Sequence, residues 1–117
     1  MATKILKLDF DTKSQKKLQQ MVKRVVKVIQ LTNLQIVDAP ISPSNSGKYH
    51  MRIYLKQPIP DIVAVCLQAL MGSDYKRETF NLLRVLNNIP NWNVLFIRKY
   101  RFKPSKKLFK PSKEIKV

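Results

Sequence analysis

The sequence predicts an α+β fold in one domain, a four-stranded antiparallel sheet with its helices on one face, and three observations lead there. Residues 4–11 and 48–56 alternate polar and apolar side chains with the period of two of a half-buried strand. Residues 14–30, between them, change to the three- and four-residue apolar spacing of an amphipathic helix. The elements then run strand, helix, strand, strand, helix pair, strand, an order with a hairpin at its middle. A chain of 117 residues can bury one core but not a second, cofactor-binding one.

In the first strand Leu6, Leu8 and Phe10 face one way and Lys7, Asp9 and Asp11 the other. In the helix that follows, Leu18, Met21, Val22, Val25, Val26 and Ile29 form the apolar stripe, and Lys16, Lys17, Lys23, Arg24 and Lys27 give it a basic outer face. Residues 34–39 make a short strand, and 40–47, with two prolines, three serines, an asparagine and a glycine, a loop. The next strand sets Lys48, His50, Arg52, Tyr54 and Lys56 against Tyr49, Met51, Ile53 and Leu55. Pro58 and Pro60 are expected to end it, since proline gives the ladder no N–H, and Pro60 with Asp61 suits a helix start. Residues 61–71 read as a buried helix. Gly72, Ser73 and Asp74 interrupt it, and Asp74 can cap a second piece to about residue 87 with the stripe Phe80, Leu83 and Leu86. Residues 92–100 are the last predicted strand, with Trp92 assigned to packing beside Pro90.

This is the ferredoxin-like, RRM-like order βαββαβ. In its usual strand order, 4-1-3-2, the first and third strands are the central antiparallel pair. Asp9 and Asp11 are therefore expected beside His50, with Lys7 and Arg52 further along the same open face.

Charge is the compositional outlier, with 23 Lys and Arg against 7 Asp and Glu, a formal net charge of +16. Repulsion of that size disfavours a compact chain unless much of the charge is spread over the surface or met by a polyanion, and nucleic acid is the commonest such partner. From residue 98 onward there are nine basic residues and one acid, half of the net charge. Phe-Lys-Pro-Ser-Lys occurs there twice, at 102–106 and 109–113. Two copies are too few for a repeat architecture, so the chain divides into a domain over 1–100 and a basic tail over 101–117.

Cys66 is the single cysteine, which excludes an intramolecular disulfide, and its place in an apolar run predicts a small buried hydrophobe. With one cysteine and one histidine, a structural zinc site is not expected. The N-terminal stretch lacks an uninterrupted apolar segment and none of the chain is long and apolar enough to span a bilayer, so an intracellular, cytoplasmic protein without a membrane partner is expected.

Asp9 and Asp11, two residues apart on one strand face, can share Mg²⁺ or Mn²⁺, which take hard oxygen ligands and complete their shell with water and phosphate. Equally, they can cap the next helix or pair with Lys7 and Arg52. Binding without chemistry is the other use of such a face: RRM-type domains stack bases on aromatic side chains and guide phosphates with basic ones. Tyr54 could stack, and so could Phe96 unless it belongs to the core, with Lys48, His50, Arg52 and Lys56 as the cations. No cofactor is needed for that.

The residues Leu8-Asp9-Phe10-Asp11, followed by a helix and then Ser46-Gly47-Lys48-Tyr49-His50-Met51-Arg52-Ile53-Tyr54 across a hairpin, resemble the first two motifs of the archaeo-eukaryotic primase superfamily. The resemblance covers about residues 4–100, the RRM-like half of that catalytic core, and implies that Asp9 and Asp11 are metal ligands and that His50 contacts nucleotide phosphates. The chain also resembles small proteins of archaeal viruses and plasmids. It departs from the family in having Lys48 where a serine is usual, and in offering Arg98 and Lys99 but no carboxylate on the last predicted strand. The resemblance thus implies a catalytically reduced relative.

The leading expectation is a nucleic-acid-binding protein that takes single strands of DNA or RNA on the sheet face. Arg98, Lys99, Arg101, Lys103, Lys106, Lys107, Lys110 and Lys113 would engage backbone phosphates. A minimal metal-dependent nucleotidyltransferase or nuclease is the second expectation, and a structural component of a ribonucleoprotein or virion the third. A histidine-based nicking mechanism is disfavoured because the usual paired histidines are missing.

Overall fold

The computed structural model describes residues 1–95. They form β1 (Ala2–Phe10), α1 (Gln15–Thr32), β2 (Ile36–Asp38), β3 (Ile41–Pro43), β4 (Tyr49–Pro60), α2 (Asp61–Leu70) and α3 (Tyr75–Leu86). The architecture is α+β, an open antiparallel sheet of four strands with three helices, and it is compatible with a ferredoxin-like fold. β4 is the central strand, with β1 along one side and β2 and β3 in succession along the other.

The fourth strand arises where the sequence predicts a loop. β2 and β3 are one edge interrupted at Ala39 and Pro40, and the Pro40 carbonyl still accepts from the Arg52 N–H at 3.0 Å, so pairing with β4 crosses the interruption. Proline is tolerated there because an edge strand needs only half of its backbone groups paired. Gly47 closes the β3–β4 hairpin at φ 84°, a conformation open to glycine, and its N–H bonds the Ser44 carbonyl. Pro58 and Pro60 do not end the strand early. β4 runs through Pro58 to Pro60, and after a bulge its end pairs with Ala2 and Thr3. Residues 92–95, the start of the predicted last strand, are not in a strand, and 96–100 lie outside the described residues.

Leu6, Leu8 and Phe10 of β1 meet Met51, Ile53 and Leu55 of β4 on one sheet face, as the alternation predicts, and Val25, Ala64, Val65, Leu67, Met71 and Trp92 close over them. Ser14 caps α1, accepting from the Lys17 N–H, and Asn33 ends it in the left-handed region. Val28 rather than Val26 packs toward the core from α1. The helix over 61–70 is half buried, not buried throughout, and Cys66 stands exposed on its outer side, correcting the expectation that it is a core residue. Among the described residues no helix is long and apolar enough to cross a membrane.

α3 turns a polar face inward. Arg77, Glu78 and Asn81 are buried, with Leu82 and Val85 packed beside them, while Leu86 of the predicted stripe is exposed. These polar groups serve the outer edge of β1. The Lys7 N–H donates to Gln68 Oε1 (2.9 Å) and the Asp9 N–H to Ser73 Oγ (2.9 Å), while the Lys7 carbonyl accepts from Arg77 Nη1 (2.7 Å) and the Asp9 carbonyl from the Asp74 N–H (2.7 Å). Glu78 ties the donors together, accepting from Gln68 (2.7 Å), Ser73 (2.6 Å), Asn81 (3.0 Å) and Arg77 (2.5 Å). Asn93 accepts from Arg77 Nη2 (2.8 Å) and donates to Gln68 Oε1 (2.7 Å). Three side chains and the Asp74 backbone N–H thus take the place of a neighbouring strand along Lys7–Asp9, satisfying backbone groups whose burial without partners would be costly.

Candidate functional site

On the sheet face away from the core, β1 and β4 pair with Lys7 opposite Arg52, Asp9 opposite His50 and Ile5 opposite Tyr54. β1 and β4 are thus neighbours, as expected, but among the described residues β1 is an edge strand and not one of a central pair. Asp11, just past β1, holds the Lys48 ammonium in an ion pair. Lys7, Arg52 and Tyr54 are half-buried, and Lys56 is exposed at the far end of the row. Arg98, Lys99, Arg101, Lys103, Lys106, Lys107, Lys110 and Lys113 lie outside the described residues.

His50 is on the expected face but is not open to solvent. It is only 3% exposed; its Nε2 lies 3.6 Å from Asp9 Oδ1, and its Nδ1 is buried with no hydrogen-bond partner among the described residues. Burial holds the imidazole below its ordinary pKa, with Arg52 and Arg77 acting the same way against the pull of Asp9. Burial likewise raises the Asp9 carboxyl, against His50 and Arg77. Each partner resists the charge that the pair needs to become a strong ion pair. Lys7 is held below the usual lysine range by burial first and then by the Arg52 and Arg77 guanidiniums. Lys48 is pushed up by its bond to Asp11.

The acids fit a divalent metal poorly. A cation shared by Asp9 and Asp11 has to displace the Lys48 ammonium from Asp11, and burial raises the Asp9 carboxyl above its ordinary pKa. Among the described residues no group of three or more His, Cys, Asp or Glu side chains gathers at one point. What the face does offer is cations. Among the described residues neither Lys7 nor Arg52 has an ion-pair partner, although they are cross-strand neighbours.

Sequence reasoning missed Gln68, Ser73, Arg77, Glu78, Asn81 and Asn93, which hold the β1 edge and so set where Lys7 and Asp9 stand. A signal existed in α3: Arg77, Glu78, Asn81, Leu82 and Val85 recur at one-helix-face spacing, as regular as the apolar stripe. No protein-family model, curated protein or solved structure matches the chain.

Proposed function

We propose that this protein binds nucleic acid through a ferredoxin-like, RRM-like or primase-like domain, laying a single strand across the open β1–β4 face and engaging further phosphates with its basic C-terminal tail. The observation that carries the reading is the pairing of Lys7 with Arg52. Like charges directly opposite on neighbouring strands repel, and burial already disfavours the Lys7 ammonium. A phosphate between the two would relieve both effects. Tyr54 lies next along β4 from Arg52 on this face and supplies a ring on which a base can stack, worth about 1–3 kcal/mol per base.

The test is titration of the full chain against labelled single-stranded DNA and RNA. Arg52→Ala and Tyr54→Ala each weaken binding, and leave thermal stability nearly unchanged because both side chains point away from the core. If Tyr54→Ala unfolds the domain and spares binding, the face is misassigned. The alternative of a metal-dependent nucleotidyltransferase is addressed by Asp9→Asn with Asp11→Asn. A binding protein with this face should, as the double variant, hold nucleic acid slightly more tightly, having shed two negative charges from a basic surface. Mn²⁺-dependent primer synthesis or cleavage by the wild type, abolished in the variant, would replace the binding reading with an enzymatic one.

A further inference from the structure

A cavity of about 350 Å³ opens beside the outer edge of β1. It is lined by Thr3, Ile5 and Lys7 of β1, by Asp61 at the start of α2 and by residues 90–94. Ile5 and Lys7 belong to the sheet face away from the core, so the cavity adjoins the face on which Lys7 stands opposite Arg52. Two buried polar side chains line it, and they differ. Asn93 is engaged on all sides, donating to Gln68 Oε1 (2.7 Å) and to the Ile5 carbonyl (3.3 Å) and accepting from Arg77 (2.8 Å). Asp61 is only 8% exposed, yet among the described residues its carboxylate forms no hydrogen bond or ion pair, neither capping α2 nor meeting a cation. Its oxygens still reach the cavity, since among the described residues the one partnerless side-chain atom wholly shut off from solvent is His50 Nδ1. Two acceptors buried without donors are costly. A ligand that brings donors would offset that cost.

We propose that this cavity takes a guanine base, with Asp61 reading its Watson–Crick edge and Lys7 holding the attached phosphate. A carboxylate sets two oxygens side by side, both acceptors. Guanine alone among the bases sets two N–H donors, N1–H and the 2-amino group, next to each other on that edge. Adenine and cytosine put a ring-nitrogen acceptor beside their amino group, and uracil and thymine flank one N–H with two carbonyls, so each turns a lone pair on an Asp61 oxygen. The volume is at the lower end of ligand cavities, suited to a single base rather than a run of them. Ile5, Pro90 and Trp92 supply apolar residues to the lining, and Lys7 has no ion-pair partner among the described residues. The inference rests on the sheet-face reading for the strand that carries the base. It adds a base preference to stacking and phosphate contacts that are otherwise indifferent to sequence.

The test titrates the full chain with oligothymidine strands of one length that carry guanine, hypoxanthine or thymine at a central position. Hypoxanthine keeps N1–H and lacks the 2-amino group. The guanine strand should bind about tenfold more tightly than the all-thymine strand, the scale of one good bidentate base contact, and hypoxanthine should lose most of that gain. Trp92, the chain's single tryptophan, should change its fluorescence with GMP and much less with IMP at equal concentration. Asp61→Asn should bring the ratio of guanine-strand to thymine-strand affinity close to one. Comparing guanine with hypoxanthine in the wild type needs no variant, so it decides even where Asp61→Asn fails to fold. Equal affinity for the three strands overturns the inference and leaves the sheet-face reading standing. A guanine preference that survives in folded Asp61→Asn also overturns it. If no strand binds but Trp92 responds to GMP over IMP, the cavity's assignment holds and the sheet-face reading falls; no response to either nucleotide and no strand bound overturns both.

Discussion

His50 and Asp9 face each other across β4 and β1, yet burial disfavours the charged form of both. The imidazole is held below its ordinary value of 6.5. A histidine with a depressed folded pKa contributes stability that is present above the unfolded pKa and lost as pH falls from there through the folded value. Asp9 works in the opposite direction: its pKa is raised from 3.8, so the stability linked to it is present below that value and lost as pH rises through the folded pKa. The charged groups that act on the pair are Lys48, Arg52, Arg77 and Asp74. The wild type should therefore lose stability on acidification below pH 6.5 more steeply than a His50→Gln variant. Thermal denaturation from pH 7 to 5 measures it; parallel curves for the two proteins would contradict the assignment.

At the scale of elements, the outer edge of β1 depends on α3. Glu78 is 3% exposed and accepts from four side chains, among them the only buried guanidinium of the described residues, Arg77. Removing one member of a buried charge pair leaves the other uncompensated, at a cost of about 3–5 kcal/mol. Glu78→Ala should lower the unfolding free energy by about that amount in a denaturant titration, whereas Thr79→Ala, one residue along on the exposed side, should change it by less than about 0.5 kcal/mol. Equal effects would mean that the network does not hold the edge. This element also marks where the sequence could be read and where it could not. β1, α1 and β4 were legible because one face of each is apolar and the other polar, so periodicity located the face, and the strand adjacency usual for the ferredoxin-like order brought Asp9 to His50. α3 was not, because its inward side carries Arg77, Glu78 and Asn81, and hydrophobic patterning selects Phe80, Leu83 and Leu86 instead. β3 was hidden by Pro40 and Pro43, and the exposure of Cys66 by apolar residues on both sides of α2. The site's residues could be named from sequence; the burial of His50 and the grip of Lys48 on Asp11 needed the packing of neighbouring strands.

Over the whole molecule, half of the net charge of +16 lies in residues 98–117, and the remainder is carried chiefly by α1 and the β1–β4 face. These regions take different roles in the proposed binding, general phosphate attraction in the tail and strand placement on the sheet. Replacing Lys103, Lys106, Lys107, Lys110 and Lys113 by Gln in the full chain should weaken binding to every sequence and lower the salt slope on duplex DNA by up to about 0.9 for each phosphate no longer neutralised. Single- over double-strand preference, set by the sheet, should persist; its disappearance together with affinity would assign strand recognition to the tail. The central claim is that Lys7 and Arg52 form a phosphate site on the open face. It is tested most directly by the slope of log affinity against log salt for single-stranded DNA, in the full chain and in a Lys7→Gln, Arg52→Gln variant. With two fewer phosphates neutralised, the slope should fall by about 1.4 on a single strand, with Tm unchanged or raised because the cation pair no longer repels. An unchanged slope and affinity in a folded variant would contradict the account.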